Sequence, residues 1–216
     1  MLQVNLMATK RGKVLKLGFK SKKNKVVFSN GLIEKHMNSS DVAIIEAEKL
    51  KLLHNAGVRV PEVISQEKNI LRLKYVDGIT ITDLIEAMEN NTFNQLECLI
   101  NSLVSWLNDF YNAVGFNNAN GKTGEIRGDV NFRNFIFDGT HCWGIDFEEQ
   151  IFGEKEQDIG RMIAFILSYH PPNTYIKNLF AQKLLDKAIV TFALDQAKIF
   201  RWRDDELKAI ALRRTK

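Results

Sequence analysis

The apolar residues of this chain change their spacing once, and the change falls after Asp77-Gly78. Before it they come in short runs, Val14-Leu15-Lys16-Leu17, Val26-Val27-Phe28 and Leu32-Ile33, parted by Lys, Ser, Asn and Gly. Runs of that length between turn formers predict antiparallel strands with tight turns. Asn38-Ser39-Ser40-Asp41 then offers capping side chains ahead of Val42, Ile45, Leu50, Leu52 and Leu53, and Asn55-Ala56-Gly57 offers a stop. That stretch reads as one amphipathic helix. Pro61 opens a fresh segment, and Ile70 to Val76 returns to strand character.

Beyond Gly78 the periods are helix-sized, with a short helix over Thr82 to Met88, a long one over Phe93 to Val114, and helix again from Glu156 onward. Between these, the polar loop Asn117 to Gly124 precedes two strand-like pieces, Glu125 to Phe137 and His141 to Phe147, joined by the turn pair Asp138-Gly139. The fold class is α+β. A small antiparallel-sheet lobe with one helix occupies residues 1–76, a larger helical lobe occupies residues 77–216, and the two together make one domain.

Composition narrows the classes of function. A chain of 216 residues, 45% hydrophobic, can bury one core or two small lobes but not two large domains. No apolar run is long enough to cross a bilayer and no leader pattern opens the chain, so the expected location is cytoplasmic. Two cysteines, Cys98 and Cys142, cannot build a disulfide framework or a four-ligand zinc site, and both read as reduced packing residues in apolar segments. The four histidines are scattered and suggest no metal or nucleophile site. A net charge of +4, concentrated in Lys10 to Lys25 and Arg201 to Lys216, fits either a solvated face or a patch for ATP, phosphorylated substrate or RNA. Nucleic acid is the weaker expectation.

The richest segment in chemistry is Arg127-Gly128-Asp129-Val130-Asn131-Phe132-Arg133-Asn134, followed by Gly144-Ile145-Asp146-Phe147-Glu148. A loop carrying Asp129 and Asn134 near its two ends, hairpinned onto a strand that ends in Asp146, would bring three oxygen-bearing side chains to one point. Phosphoryl transfer needs that set: ligands for Mg²⁺ on the phosphates, and one carboxylate beside the attacking hydroxyl. Taken singly, these residues are also ordinary turn formers and strand-end caps.

The first stretch resembles the H-[RG]-D-x-x-x-x-N catalytic loop of protein-kinase-like enzymes. It is most similar to the H-G-D-x-N-x-x-N form of aminoglycoside phosphotransferases, choline kinases and compact atypical kinases of the lipopolysaccharide-kinase or tRNA-modification-complex type. Ile145-Asp146-Phe147-Glu148 is similar to their metal-binding strand end. The resemblance implies a bilobal kinase-like fold, ATP and Mg²⁺ as cofactors, Asp129 and Asn131 as catalytic residues, and Asn134 and Asp146 as metal ligands.

Upstream, Lys35 and Glu46 look like the strand lysine and helix glutamate whose ion pair holds the α- and β-phosphates. Glu46-Ala47-Glu48 leading to Ala56-Gly57-Val58 and Pro61 resembles a passage of the atypical kinases that selects Glu46 over Glu48. Leu71 to Thr80 resembles a hinge whose backbone, at Lys74 and Val76, meets adenine, and Ile136 then joins the apolar floor under the base. Asp158 is either a helix N-terminal cap or the family's buried aspartate that holds the catalytic loop.

Two features depart from the pattern. No glycine-rich phosphate loop stands between Val14 and Phe28, where Lys20-Ser21-Lys22-Lys23-Asn24-Lys25 occupies the turn, and Arg127 replaces the usual His. The short gap from Asp146 to Asp158 leaves no room for a typical peptide platform. With the acidic stretch Glu148, Glu149, Glu154 and Glu156, this favours a hydroxyl on a neutral or cationic small molecule as phosphate acceptor. A compact atypical Ser/Thr protein kinase and a nucleotide-binding scaffold without transfer are the alternatives. Phe165, Tyr169, Tyr175, Phe180, Phe192, Phe200 and Trp202 read as helix packing.

Overall fold

The computed structural model describes residues 17–20, 24–89, 95–116 and 123–215. The chain divides into two compact units, one of residues up to Asp77 together with Asp146–Glu148, the other of Gly78–Ile145 and Glu149–Lys216.

In the first unit, strands β1 (Leu17–Lys20), β2 (Lys25–Ser29), β3 (Leu32–His36), β4 (Val63–Glu67) and β5 (Ile70–Lys74) form one antiparallel sheet in the order β1-β2-β3-β5-β4. The β2–β3 turn is made at Asn30-Gly31, both with positive φ, as a two-residue hairpin between right-twisted strands requires. Helix α1 (Ser40–Asn55) starts where expected, with the Ser39 side chain accepting the Val42 N–H. Its buried stripe is Ala43, Glu46, Ala47, Leu50 and Leu53, spaced as one helical face. Glu46 is the only charged residue of that stripe.

Strand alternation decides the rest. On β3, Ile33 and Lys35 stand opposite Leu73 and Leu71, the two fully inward residues of β5, so Lys35 shares the face turned to the core. Glu34 points the other way and pairs with Arg72 at 2.9 Å. Strand β4 was not foreseen between Pro61 and Ile70, and the strand expected to reach Val76 stops at Lys74. Val14 to Lys16 and the turn residues Ser21 to Lys23 lie outside the described residues.

The second unit opens with β6 (Ile79–Thr80), α2 (Ile81–Met88) and α3 (Leu96–Ala113). Strand β7 (Gly124–Ile126) leads to a 3-10 turn at Phe132–Asn134, the hairpin β8 (Phe135–Phe137) and β9 (Cys142–Gly144), and β10 (Ile151–Gly153). β6, β8 and β9 form one small sheet, and β7 pairs with β10 in another. Helices α4 (Lys155–Ser168), α5 (Tyr175–Phe192) and α6 (Gln196–Arg214) close the chain.

The long strand-like piece expected over Glu125 to Phe137 is broken, because Gly128 turns the backbone to φ +72° and Asn131 starts the 3-10 turn. The piece expected over His141 to Phe147 stops at Gly144, and Asp146 takes φ +69°. Cys142 is buried as expected, but Cys98 is exposed because it lies off the inward stripe of α3. No helix among the described residues is long and apolar enough to cross a membrane.

The β8–β9 hairpin is held against α3 by Trp106, whose ring meets Phe135 edge-on at 5.2 Å and covers the Cα of Gly144. A Cβ at position 144 would overlap that indole, which is itself fully buried and boxed by Phe110. Gly144→Ala is therefore expected to cost about 1–3 kcal/mol through overpacking, read as a lower urea midpoint at unchanged slope.

Candidate functional site

Within the first unit, one buried carboxylate organises the cluster. Glu46 has no exposure, so its charge requires donors. It receives the Lys35 ammonium on both oxygens at 2.8 Å and the backbone N–H of Phe147 at 3.1 Å. The second contact fixes the segment Asp146–Glu148 onto the unit formed by the N-terminal residues. Lys35 is itself 8% exposed, and it also reaches Asp146 at 3.1 Å and Glu148 at 3.7 Å. Burial pulls the Lys35 pKa down, but the charges and hydrogen bonds of Glu46 and Asp146 more than offset it and hold the ammonium above its ordinary value.

The carboxylate oxygens of Glu46, Asp146 and Glu148 lie within 4.8 Å of one another. Three carboxylates around one ammonium leave an excess of two negative charges. Glu148 answers with a raised pKa, caused first by burial and then by the Asp146 charge. Only oxygen donors are present, the set that suits a hard divalent cation such as Mg²⁺. Asp146 presents the more open side chain and Glu148 the less open one, with Asn24 donating its amide to Glu148. The left-handed backbone at Asp146, uncommon outside glycine, is tolerated best by Asp and Asn and tends to occur at functional positions.

The hinge residues expected at Lys74 and Val76 also fall in this unit. The Lys74 N–H is bound to the Glu62 carbonyl at 2.9 Å and its side chain is turned to solvent. Val76 follows the end of β5.

Within the second unit a second fully buried carboxylate does comparable work. Asp158 lies inside the first turn of α4, not at its cap, and accepts the backbone N–H groups of Arg127 at 2.8 Å and Gly128 at 2.9 Å together with the Tyr111 hydroxyl at 2.9 Å. Of the two sequence readings for Asp158, the loop-holding one is what the structure shows. Burial raises its pKa and the three donors oppose the rise. A Cβ on Gly128 would run into Ile151 of β10, so the loop is held from both sides. Arg127 spans the loop base, donating to the Ile145 carbonyl at 2.7 Å with its guanidinium over the Phe135 ring.

Asp129 projects from this loop half-exposed. One oxygen accepts the Asn131 N–H at 3.3 Å and the other lies 3.8 Å from Arg133. Asn131 is the cap of the 3-10 turn: its oxygen accepts the Arg133 N–H at 3.1 Å and the Tyr169 hydroxyl at 3.2 Å. The same hydroxyl accepts the Phe132 N–H at 3.3 Å, so Tyr169 clamps the loop from the end of α4. Burial pushes the Tyr169 phenol up to about 12, keeping it a neutral donor. Asn134 is buried, donates its amide to the Asp129 carbonyl at 3.3 Å, and its own carbonyl receives the Ile145 N–H. Ile136 lies half-buried on β8 opposite Thr80 and Trp143.

The structure thus gathers Lys35, Glu46 and Asp146 in one unit and Asp129, Asn131, Asn134 and Ile136 in the other. Sequence reasoning missed Asn24 and Glu148 as members of the first cluster and Tyr169 as the clamp of the second. Glu148 stands two residues from Asp146, a spacing that could have flagged it. Asn24 and Tyr169 carry no local signal.

A family model described as the RIO domain matches residues 3–162. No curated protein sequence matches the chain. Among solved structures, the fold is similar to aminoglycoside phosphotransferase APH(2'')-Ib bound to ADP, at 14% identity over 92% of this chain and 93% of that one, with a TM-score of 0.55. It is similar to APH(3'')-Id from Streptomyces rimosus at 15% identity, with 89% and 92% covered and a TM-score of 0.52. A streptomycin–ATP complex of APH(2")-IIa matches at 13% identity, 91% of both chains and a TM-score of 0.52. At these identities the likeness establishes a kinase-like fold and nothing finer.

The raised pKa of Lys35 means that the folded chain holds this proton more tightly than the unfolded one. The stability it contributes is complete below the ordinary value of 10.5 and fades as pH rises beyond it. Lys35→Met is expected to remove that alkaline component and to cost about 3–5 kcal/mol at neutral pH by stranding Glu46. Urea unfolding of both proteins across neutral to alkaline pH measures the two effects together.

Proposed function

The chain belongs to the RIO domain family, an atypical protein kinase family, and from that premise we propose that it transfers the γ-phosphate of ATP to an alcohol hydroxyl. The observation that carries the reading is the buried Lys35–Glu46 pair bound directly to the Asp146 segment. A lysine held at fixed length beside an open aspartate supplies a cation for the phosphates and an oxygen for their counter-ion.

In this reading Lys35 contacts the α- and β-phosphates, and Glu46 keeps its ammonium extended. Asp146, with Glu148 beside it in the same unit, would hold Mg²⁺, while Asn134 of the other unit carries a metal role only as the motif implies it. The ion when bound neutralises charge on the phosphate oxygens. Asp129 orients the acceptor hydroxyl and takes its proton. Its carboxylate remains half-exposed, while the loop beneath it is held by Asp158 and Tyr169, so position is set by backbone contacts and the reacting group stays open. Asn131 acts through that clamp. The Lys74 carbonyl and the Val76 backbone serve adenine.

The choice of acceptor shifts from the sequence expectation. Of the acidic stretch that argued for a cationic small molecule, Glu148 faces Asn24 and Lys35, Glu154 is paired with Lys198 at 2.7 Å, and Glu156 accepts the Asp195 N–H. Glu154 is compensated by Lys198, and Glu148 and Glu156 are committed to contacts within the chain, which weakens the case from this stretch for a cationic acceptor. Family membership then supports a protein serine or threonine hydroxyl ahead of an amino sugar or amino alcohol.

Two measurements test the reading. ATP binding in the presence of Mg²⁺, followed by calorimetry, is expected to fall at least tenfold in Asp146→Ala. Transfer from labelled ATP to a generic protein, offered in parallel with amino sugars, amino alcohols and nucleosides, is expected to fall about 10²–10⁴-fold in Asp129→Asn, the usual contribution of a positioned base. Transfer to small molecules alone would reverse the choice of acceptor, and ATP binding without any transfer would make the chain a nucleotide-binding scaffold.

A further inference from the structure

The sequence between β1 and β2 holds no glycine that would let backbone N–H groups approach a phosphate, yet Asn24, just ahead of β2, reaches the acidic cluster through its side chain. Asn24 is 7% exposed and donates its side-chain amide to Glu148, a residue 124 positions away in sequence. Glu148 in turn is part-buried, 3.7 Å from the Lys35 ammonium, with its oxygen near those of Asp146 and Glu46. All five residues belong to the same compact unit.

We propose that Asn24 is a positioning residue of the metal site: its amide sets the Glu148 carboxylate toward Asp146, so that the two present oxygens to one divalent cation. The inference rests on the reading of Asp146 and Glu148 as metal-holding groups.

Three observations support it. A part-buried carboxylate standing beside Asp146 and Glu46 gains most from a neutral donor that leaves its charge intact. Lys35 alone cannot orient Glu148, since its ammonium is already committed to Glu46 at 2.8 Å and stands closer to Asp146 than to Glu148. A carboxylate has two oxygens, so one can accept from Asn24 while the other faces the cation. Outer contacts of this kind commonly change metal affinity by roughly 10–100-fold when removed.

The test uses Mn²⁺ as the probe, titrated into the full chain without nucleotide and followed by the loss of the free-ion electron paramagnetic resonance signal. Asn24→Leu, which keeps the shape and removes the donor, and Asn24→Ala are both expected to bind Mn²⁺ roughly tenfold more weakly. In a Glu148→Gln background the same substitutions are expected to change nothing further, because the group they position is gone. Unchanged affinity in both Asn24 variants, with Asp146→Ala still abolishing binding, overturns this inference and leaves the metal reading standing. So does a loss of equal size with Glu148 already replaced. Mn²⁺ binding that survives Asp146→Ala overturns the metal reading and this inference with it. Circular dichroism of each variant before titration separates loss of fold from loss of binding.

Discussion

Burying a carboxylate completely is tolerated only when donors surround it, and among the described residues Glu46 and Asp158 are held in this way, with no exposure at either. Each recruits backbone N–H groups from a distant segment. Glu46 takes the N–H of Phe147, 101 residues away, and Asp158 takes those of Arg127 and Gly128, 31 and 30 residues away. A backbone donor cannot move without moving its loop. The desolvated charge therefore acts as a peg, and the loops bearing Asp146 and Asp129 are fixed by their main chains while their own carboxylates remain accessible.

That division explains where the unusual backbone occurs. Asp146 adopts φ +69° one residue before the N–H that Glu46 captures, and Gly128 adopts φ +72° at the N–H that Asp158 captures. A left-handed residue reverses the local direction of the chain, turning one peptide N–H inward and the neighbouring side chain outward. Its cost of about 1–3 kcal/mol for a non-glycine residue is offset by the buried bond beside it. At position 128 only glycine serves, since a Cβ would strike Ile151. At position 146 the aspartate is the group exposed by the turn, so strain and an accessible carboxylate fall on one residue.

Much of this was legible in the sequence, for reasons that differ by residue. The start of α1 was readable because Ser39 caps it by a local contact, and the β8–β9 hairpin because Asp138-Gly139 makes its own turn, with Asp138 accepting the Thr140 and His141 N–H groups. Lys35 and Glu46 could be paired only through the family resemblance, because the apolar spacing of α1 pointed to a face with Ile45 and Leu52, which the structure leaves exposed, and not to the face that carries Glu46. The short strands β4, β6 and β10 were not foreseen, since they hold two to five residues and owe their state to a neighbour's edge. The breaks at Gly128 and Asp146 were missed because an apolar run says nothing about where a buried carboxylate will seize the backbone. Tyr169, read as packing, is a clamp only because α4 ends beside Asn131.

The acidic run from Glu148 to Glu156 shows why charge in a sequence is a poor guide to what a site attracts. Counted along the chain it is a patch; in the structure its members have separate tasks. Glu148 joins Lys35 and Asn24, Glu154 ties the start of α4 to Lys198 of α6, and Glu156 caps the α5–α6 connection through the Asp195 N–H. An ion pair cancels most of a carboxylate's field beyond a few ångströms, whereas a donated N–H orients the carboxylate without removing its charge, and salt screens what is exposed. The Glu46–Asp146–Glu148 cluster differs: three carboxylates stand beside one ammonium, so local compensation is incomplete there, and the excess charge is held in place by buried contacts instead of being spread along an exposed face.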